Sequence, residues 1–245
     1  MGVVDQLIKK SLKRADVLLS VVTHRYLDID VMGSCMSLFA NKKHNYVWSP
    51  IRGDALVSRG RSRVASFFLQ DREEDVLMFV DDDVVFSEAD ATRLVDFVLE
   101  TKEICCGMYV QKGTGGSTML LNDGQSMTFS KKAKPQKVLA GSTGFMAIHR
   151  DVFKKIIEAK LIPLCHPDDL KFYPFFQPEP YQLPSGKYIY LSEDWAFCFL
   201  ARKVGVSTWV DPSIFLGHKG EYTYDLADRI RPSKVKIDND FHIDL

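Results

Sequence analysis

The sequence predicts an α/β fold in three layers, a mainly parallel central sheet covered by helices on both faces. Three observations predict it. Apolar, β-branched runs of strand length alternate with stretches of helical periodicity four times between residues 16 and 110. The strand-like runs are apolar throughout rather than at every second residue, as in strands buried on both faces. An acidic triplet, Asp81-Asp82-Asp83, stands where the third run ends. In parallel α/β sheets, ligands gather at the carboxyl ends of strands.

The elements follow in order. DVLLSVVT (16–23) is too short for a helix and reads as a buried strand. DIDVMGSCMSLFAN (28–41) has helical spacing, and HNYVWSP (44–50) reads as a second strand, ended by Pro50 and Gly53. Residues 54–70 read as a helix that tolerates Gly60. EDVLMFVDDDVVF (74–86) is a strand running into the acidic triplet. The helix SEADATRLVDFVLE (87–100) opens on Ser87, with Asp90 three residues on, close to a capping box. EICCGMYV (103–110) is the next strand, and four such alternations imply right-handed βαβ crossovers. The second half is less regular. Residues 111–125 are Gly-rich and read as a loop or hairpin, and KKAKP (131–135) is a solvated basic patch. Residues 137–156 read as strand, turn, strand and helix, and the proline- and aromatic-rich 161–190 as a long ordered loop. LSEDWAFCFLARKVG (191–205) is an amphipathic helix ending at Gly205, and 207–220 a last strand leading into a His-containing turn.

With 245 residues, 46% hydrophobic and 26% charged, the chain can bury a large core as a single catalytic domain over 1–245. Its 32 basic and 32 acidic residues balance, which argues against a nucleic-acid partner. Five cysteines without zinc or redox spacing, two of them adjacent in an apolar run, fit buried hydrophobes and a reducing, cytoplasmic setting. Residues 1–15 have no secretory h-region. Val3, Val4, Leu7, Ile8 and Leu12, with Lys9, Lys10, Lys13 and Arg14 around them, form an amphipathic pattern. That helix could pack on the domain edge or lie on a membrane surface as a peripheral contact. No run is long enough to span a bilayer. The tail, 221–245, is mostly polar.

Four groups of residues carry possible chemistry. In a strand, alternate residues share a face, so Asp81 and Asp83 can converge on one cation, and oxygen donors of this kind suit Mg²⁺ or Mn²⁺. The alternative is a solvated acidic turn. His218, between Gly217 and Lys219-Gly220, offers an imidazole if it folds back beside the triplet. Glu193 and Asp194 follow Ser192 in a helix's first turn, where the dipole keeps carboxylates ionised and one can serve as a general base. Arg59, Arg61 and Arg63 lie on one helix; an arginine fork suits a pyrophosphate, and a solvated face is the plainer reading.

Taken together, Thr23 at a strand end, Val57-Ser58-Arg59-Gly60-Arg61-Ser62, FVDDDVVF, AGSTGFMAIHRDVF, SEDWAFCFLARKVG and FLGHKG resemble, in order and spacing over roughly 16–220, the GT-A-fold glycosyltransferases. The likeness is to inverting family-2-like members and short viral, phage or bacterial relatives. The resemblance implies a Rossmann-like sheet and a UDP- or GDP-sugar donor held by Thr23, Asp81, Asp82, Arg59 or Arg61, and Gly144. It implies Mn²⁺ or Mg²⁺ on Asp83, Asp81 and His218, and a saccharide or other hydroxyl acceptor. Glu193 and Asp194 match the catalytic acidic pair, with Asp194 as the base. The family's usual Arg-Asn is Arg61-Ser62 here.

The chemistry expected is attack of an acceptor hydroxyl on the anomeric carbon with inversion, the leaving diphosphate neutralised by cation and arginine. Two rivals stand beside it. A sugar-phosphate nucleotidyltransferase would want a Gly-rich loop after the first strand, where THRYLDID stands. An inactive nucleotide- or sugar-binding domain would have lost one of the two acidic sets, and both are present.

Overall fold

A computed structural model describes residues 15–23, 26–112, 116–166, 168–183 and 185–220, and the backbone of 241–243. The expected N-terminal helix lies outside the described residues, as does most of the tail.

The first half folds as the pattern dictates. Strand β1 (Asp16–Thr23) pairs in parallel with β2 (Asn45–Trp48), β3 (Ile51–Arg52) and β4 (Val76–Asp81). Helix α1 (Ile29–Phe39) is capped by the Asp28 carboxylate on the Asp30 N–H, and α2 spans Val57–Asp71. After the two-residue β5 (Val84–Val85), α3 (Glu88–Thr101) starts with a full capping box: Ser87 accepts from the Asp90 N–H, and Asp90 accepts from the Ser87 N–H. Then come β6 (Ile104–Cys106), β7 (Met127–Phe129), β8 (Gln136–Val138) and β9 (Phe145–His149). Helix α4 (Arg150–Glu158) follows, then β10 (Glu179–Gln182), β11 (Tyr188–Leu191), α5 (Glu193–Arg202), β12 (Thr208–Val210) and β13 (Gly217–His218). Residues 161–190, expected as a loop, thus hold the β10–β11 hairpin. Gly205 takes φ +75° just past α5, where a side chain would be strained. A last strand, β14 (Phe241–Ile243), pairs in parallel with β7.

The central sheet has eight strands, in the order β2-β1-β4-β9-β6-β12-β8 with β3 also on β1. It is mostly parallel and Rossmann-like: β9, antiparallel to both β4 and β6, and the edge strand β8 are the exceptions. Each central strand feeds two cores by alternation. In β4, Leu77 and Phe79 join one cluster with Val64 and Phe68 of α2, Phe153 of α4 and Phe197 of α5. Val76, Met78 and Val80 join the other, under Val31, Cys35 and Leu38 of α1 and Leu94, Val95 and Val98 of α3. The adjacent Cys105 and Cys106 point to opposite cores as free, buried thiols. Among the described residues, no helix is long and apolar enough to cross a membrane.

Candidate functional site

The site lies at the carboxyl ends of β1, β4 and β6. Strand β4 leaves the core at Asp81, whose N–H donates to the Gly144 carbonyl at 2.9 Å. The three carboxylates then part company. Asp81 turns toward α2: Arg61 Nη2 donates to its Oδ1 at 2.5 Å, and the Tyr109 hydroxyl stands 3.4 Å from its Oδ2. Asp83 turns toward β13 and meets His218 and Lys112. Asp82 lies between them beside Thr23, whose hydroxyl donates to the Tyr26 carbonyl at 2.8 Å.

Arg61, 4% exposed, is the site's fixed cation. Its Nη1 donates to Glu193 at the start of α5, tying the acidic strand to the late acidic pair across the cleft. Burial alone would lower the guanidinium's pKa, but Asp81, Glu193 and Asp194 outweigh it and hold the charge. Its buried Nε has no protein partner. The carboxylates respond unequally. Burial raises Asp82, against the Thr23 hydrogen bond, and the neighbouring acids Asp83 and Asp81 add to the rise. Burial also raises Glu193, with Arg61 opposing it. At Asp83 burial is outweighed by the His218 and Lys112 contacts, so this carboxylate is held below its ordinary range.

His218 arrives by strand pairing: β13 runs antiparallel to β5 with His218 opposite Val84, one residue past Asp83. Its Nδ1 lies 2.7 Å from the Val110 carbonyl, which can only accept, so this nitrogen carries a proton. The other nitrogen, Nε2, faces Asp83 Oδ1 at 3.5 Å. A carboxylate oxygen beside an imidazole oriented by a backbone carbonyl is a donor set that fits a divalent cation completed by water and phosphate oxygens. Asp81, expected as a third ligand, is instead committed to Arg61 and Tyr109. Among the described residues no group of three or more His, Cys, Asp or Glu side chains converges as a metal cage.

The other expected residues are placed plainly. Arg59 grips Asp54 through Nε and Nη2 at 2.8–3.1 Å and is not brought to the cleft. Two residues apart on a helix are about 200° apart, so Arg61 and Arg59 cannot face one ligand. Gly144 does not line the cleft either. A Cβ there would stand 2.1 Å from the Tyr109 hydroxyl oxygen, so glycine is what lets that ring sit over the strand. Asp194 Oδ1 accepts from the Ser192 hydroxyl and, at 2.8 Å, from the Trp195 N–H.

Sequence reading missed Tyr109 and Lys112, and had Ser142 only as part of the Gly-rich turn 141–144 of the resemblance. The Tyr109 and Ser142 hydroxyl oxygens are 2.5 Å apart, and the Tyr109 ring packs edge-on against His218 at 4.8 Å. Tyr109 and Lys112 follow β6, so the rule that sites form at strand ends could have found them. Two adjoining cavities share Asp82 and Asp83. One, about 370 Å³, is lined by Thr23, Arg61, Asp81 and Glu193; the other, about 420 Å³, by Tyr26, Asp28, Lys112 and Lys219. Both are of ligand-binding size.

No protein-family model and no curated protein matches the chain. A solved structure does. The crystal structure of A197 from STIV superposes with a TM-score of 0.56 at 18% identity, over 91% of this chain and 97% of that one. At that identity the likeness shows the fold alone, the Rossmann-like α/β/α arrangement.

Proposed function

We propose that the chain is a GT-A-type glycosyltransferase that moves a sugar from a UDP- or GDP-sugar to an acceptor hydroxyl with inversion, assisted by Mn²⁺ or Mg²⁺. The observation that carries this reading is the Asp81–Arg61–Glu193 bridge beside the Asp83–His218 pair. It unites five polar side chains from four sequence-distant segments around one cleft, in an arrangement that suits a diphosphate leaving group. The fold likeness to A197 from STIV is compatible with it, since the shared Rossmann-like α/β/α arrangement places the cleft at strand ends.

Asp83 and His218 would hold the cation, which when bound supplies positive charge to the departing diphosphate. Arg61, already ionised and fixed, is placed to meet phosphate charge without reorganising. Thr23 and Asp82 flank the donor side of the cleft. On the acceptor side, Asp194 takes the hydroxyl proton as the acceptor oxygen bonds to the anomeric carbon. The bond from that carbon to the diphosphate oxygen breaks, and its electron pair leaves with the diphosphate. The Ser192 hydroxyl and the Trp195 N–H orient Asp194 for this step, leaving Glu193 to position Arg61.

Calorimetric titration with UDP and GDP, with and without Mn²⁺, tests the reading. Metal-dependent binding of one nucleotide, lost in Asp83→Ala and weakened in His218→Ala, is expected. A folded protein that binds neither nucleotide overturns it, and nucleoside triphosphates with sugar phosphates, the substrates of a nucleotidyltransferase, become the next ligands to try.

A further inference from the structure

The Asp83 carboxylate is contested. Its Oδ1 faces His218 Nε2 at 3.5 Å, the pair read above as the cation site, while its Oδ2 accepts from the Lys112 ammonium. One negative charge cannot neutralise both an ammonium and a divalent ion, and two such cations on one carboxylate repel each other. The Lys112 and Asp83 side chains are 36% and 32% exposed, so solvent screens that repulsion only in part.

Lys112 is also the cation of the cleft with the weakest hold. Arg61 is buried between Asp81 and Glu193. Lys219 is tied at both ends, its Nζ to Asp30 at 2.5 Å and its N–H to the Asp83 carbonyl at 2.7 Å. Among the described residues Lys112 forms an ion pair with Asp83 alone, from the end of a flexible four-carbon stem. It lines the cavity of about 420 Å³, and Asp83 lines both that cavity and the adjoining one, where Arg61 stands. A diphosphate on Arg61 would offer this ammonium a second, more highly charged anion.

We propose that Lys112 couples the cation to the nucleotide: its ammonium competes with a divalent ion for Asp83 and moves to the diphosphate when the donor binds. The proposal rests on the transferase reading above and adds regulation to its cation site. Lys112 keeps divalent ions off Asp83 until a donor is present. By linkage, the same competition makes each of the two ligands tighten the other.

The test measures Mn²⁺ affinity of the full chain by electron paramagnetic resonance. Wild type, Lys112→Gln and Lys219→Gln are compared without nucleotide and with saturating UDP or GDP, allowing for Mn²⁺ held by free nucleotide. Without nucleotide, Lys112→Gln is expected to bind Mn²⁺ about tenfold more tightly than wild type. Lys219→Gln, which removes an ammonium that lines the same cavity but is held on Asp30, should stay within about twofold. With nucleotide bound, the wild-type and Lys112→Gln affinities should converge to within about threefold, because the donor has already drawn the ammonium away. Equal affinities without nucleotide, no Mn²⁺ bound by any of the three, or equal gains in both lysine variants overturn the competition. A gap that persists undiminished with nucleotide bound overturns the movement. Wherever UDP or GDP binds, these outcomes count against Lys112 and leave the donor site standing. A chain that binds Mn²⁺ but neither nucleotide overturns the coupling and the transferase reading together.

Discussion

Arg61 sits between two carboxylates that are 20 and 132 residues away in sequence. A buried cation with two partners cannot be removed quietly. Arg61→Met should cost about 3–5 kcal/mol, because it leaves Asp81 and Glu193 facing each other without compensation. Urea unfolding would read that loss. Arg61→Lys keeps the charge but not the planar fork, so the protein should remain folded while nucleotide affinity falls at least tenfold. Asp194 belongs to a different class. Asp194→Asn should leave nucleotide affinity intact and reduce turnover by about 10²–10⁴-fold, the usual worth of a general base. A variant that loses donor binding instead would move Asp194 from the acceptor to the donor side. At Gly144 the constraint is steric. Gly144→Ala forces the Tyr109 hydroxyl aside, at about 1–3 kcal/mol. Adding Tyr109→Phe should recover only part of it, since the ring carbon Cζ would still lie 2.5 Å from the new Cβ. The carboxylates and the arginine were legible as residue types in a suggestive order. Their division of labour was not, because a strand's alternation does not say that Asp81 will find an arginine while Asp83 finds a histidine.

Among the elements, α3 was the most readable. Ser87 and Asp90 form the reciprocal bonds their spacing suggested, so Ser87→Ala should lower stability by about 1 kcal/mol. The midpoint of a denaturant curve would show it. The opposite face of α3 carries a less legible contact. Asp96 accepts from His44 Nε2 at 3.1 Å and pairs with Lys43, joining the loop before β2 to this helix. Burial alone would raise the Asp96 carboxyl, but the His44 and Lys43 bonds outweigh it and depress it below 3.8. A depressed carboxyl contributes stability that is present above its unfolded pKa and is lost as pH falls through the folded value. Asp96→Asn should therefore flatten the acid limb of a stability–pH curve below about pH 4 and leave the neutral region flat. A third exposed side chain limits the size of the effect through solvent screening. The β10–β11 hairpin was the element sequence reading lost. The proline and aromatic content of 161–190 read as a loop, yet an edge strand with no ladder partner on one side tolerates a proline such as Pro180.

For the whole molecule, the alternation of strand and helix up to residue 110 was enough to predict a three-layer sheet, because each buried run had only one way to cover both faces. What it could not reveal is where β9 pairs, although the strand itself was read within 137–156. This strand follows a short turn in the second half, yet it inserts antiparallel between β4 and β6, and no local pattern encodes such a distant pairing. Its insertion leaves β1, β4 and β9 each flanked by strands on both sides, with Phe79 and Met146 facing one core and Val80 and Phe145 the other. Opening any of these strands exposes both cores at once, so their amides should exchange only through global unfolding. Native-state hydrogen exchange should accordingly find the slowest amides in β1, β4 and β9, with β8 and the β10–β11 hairpin opening at lower cost. Faster exchange in β9 than in α3 would mean that the inserted strand is docked on a preformed parallel sheet rather than part of its core. The Gly144 carbonyl that positions Asp81 would then be carried by a separately opening unit, and the acidic strand would lose its fixed geometry whenever that unit opened.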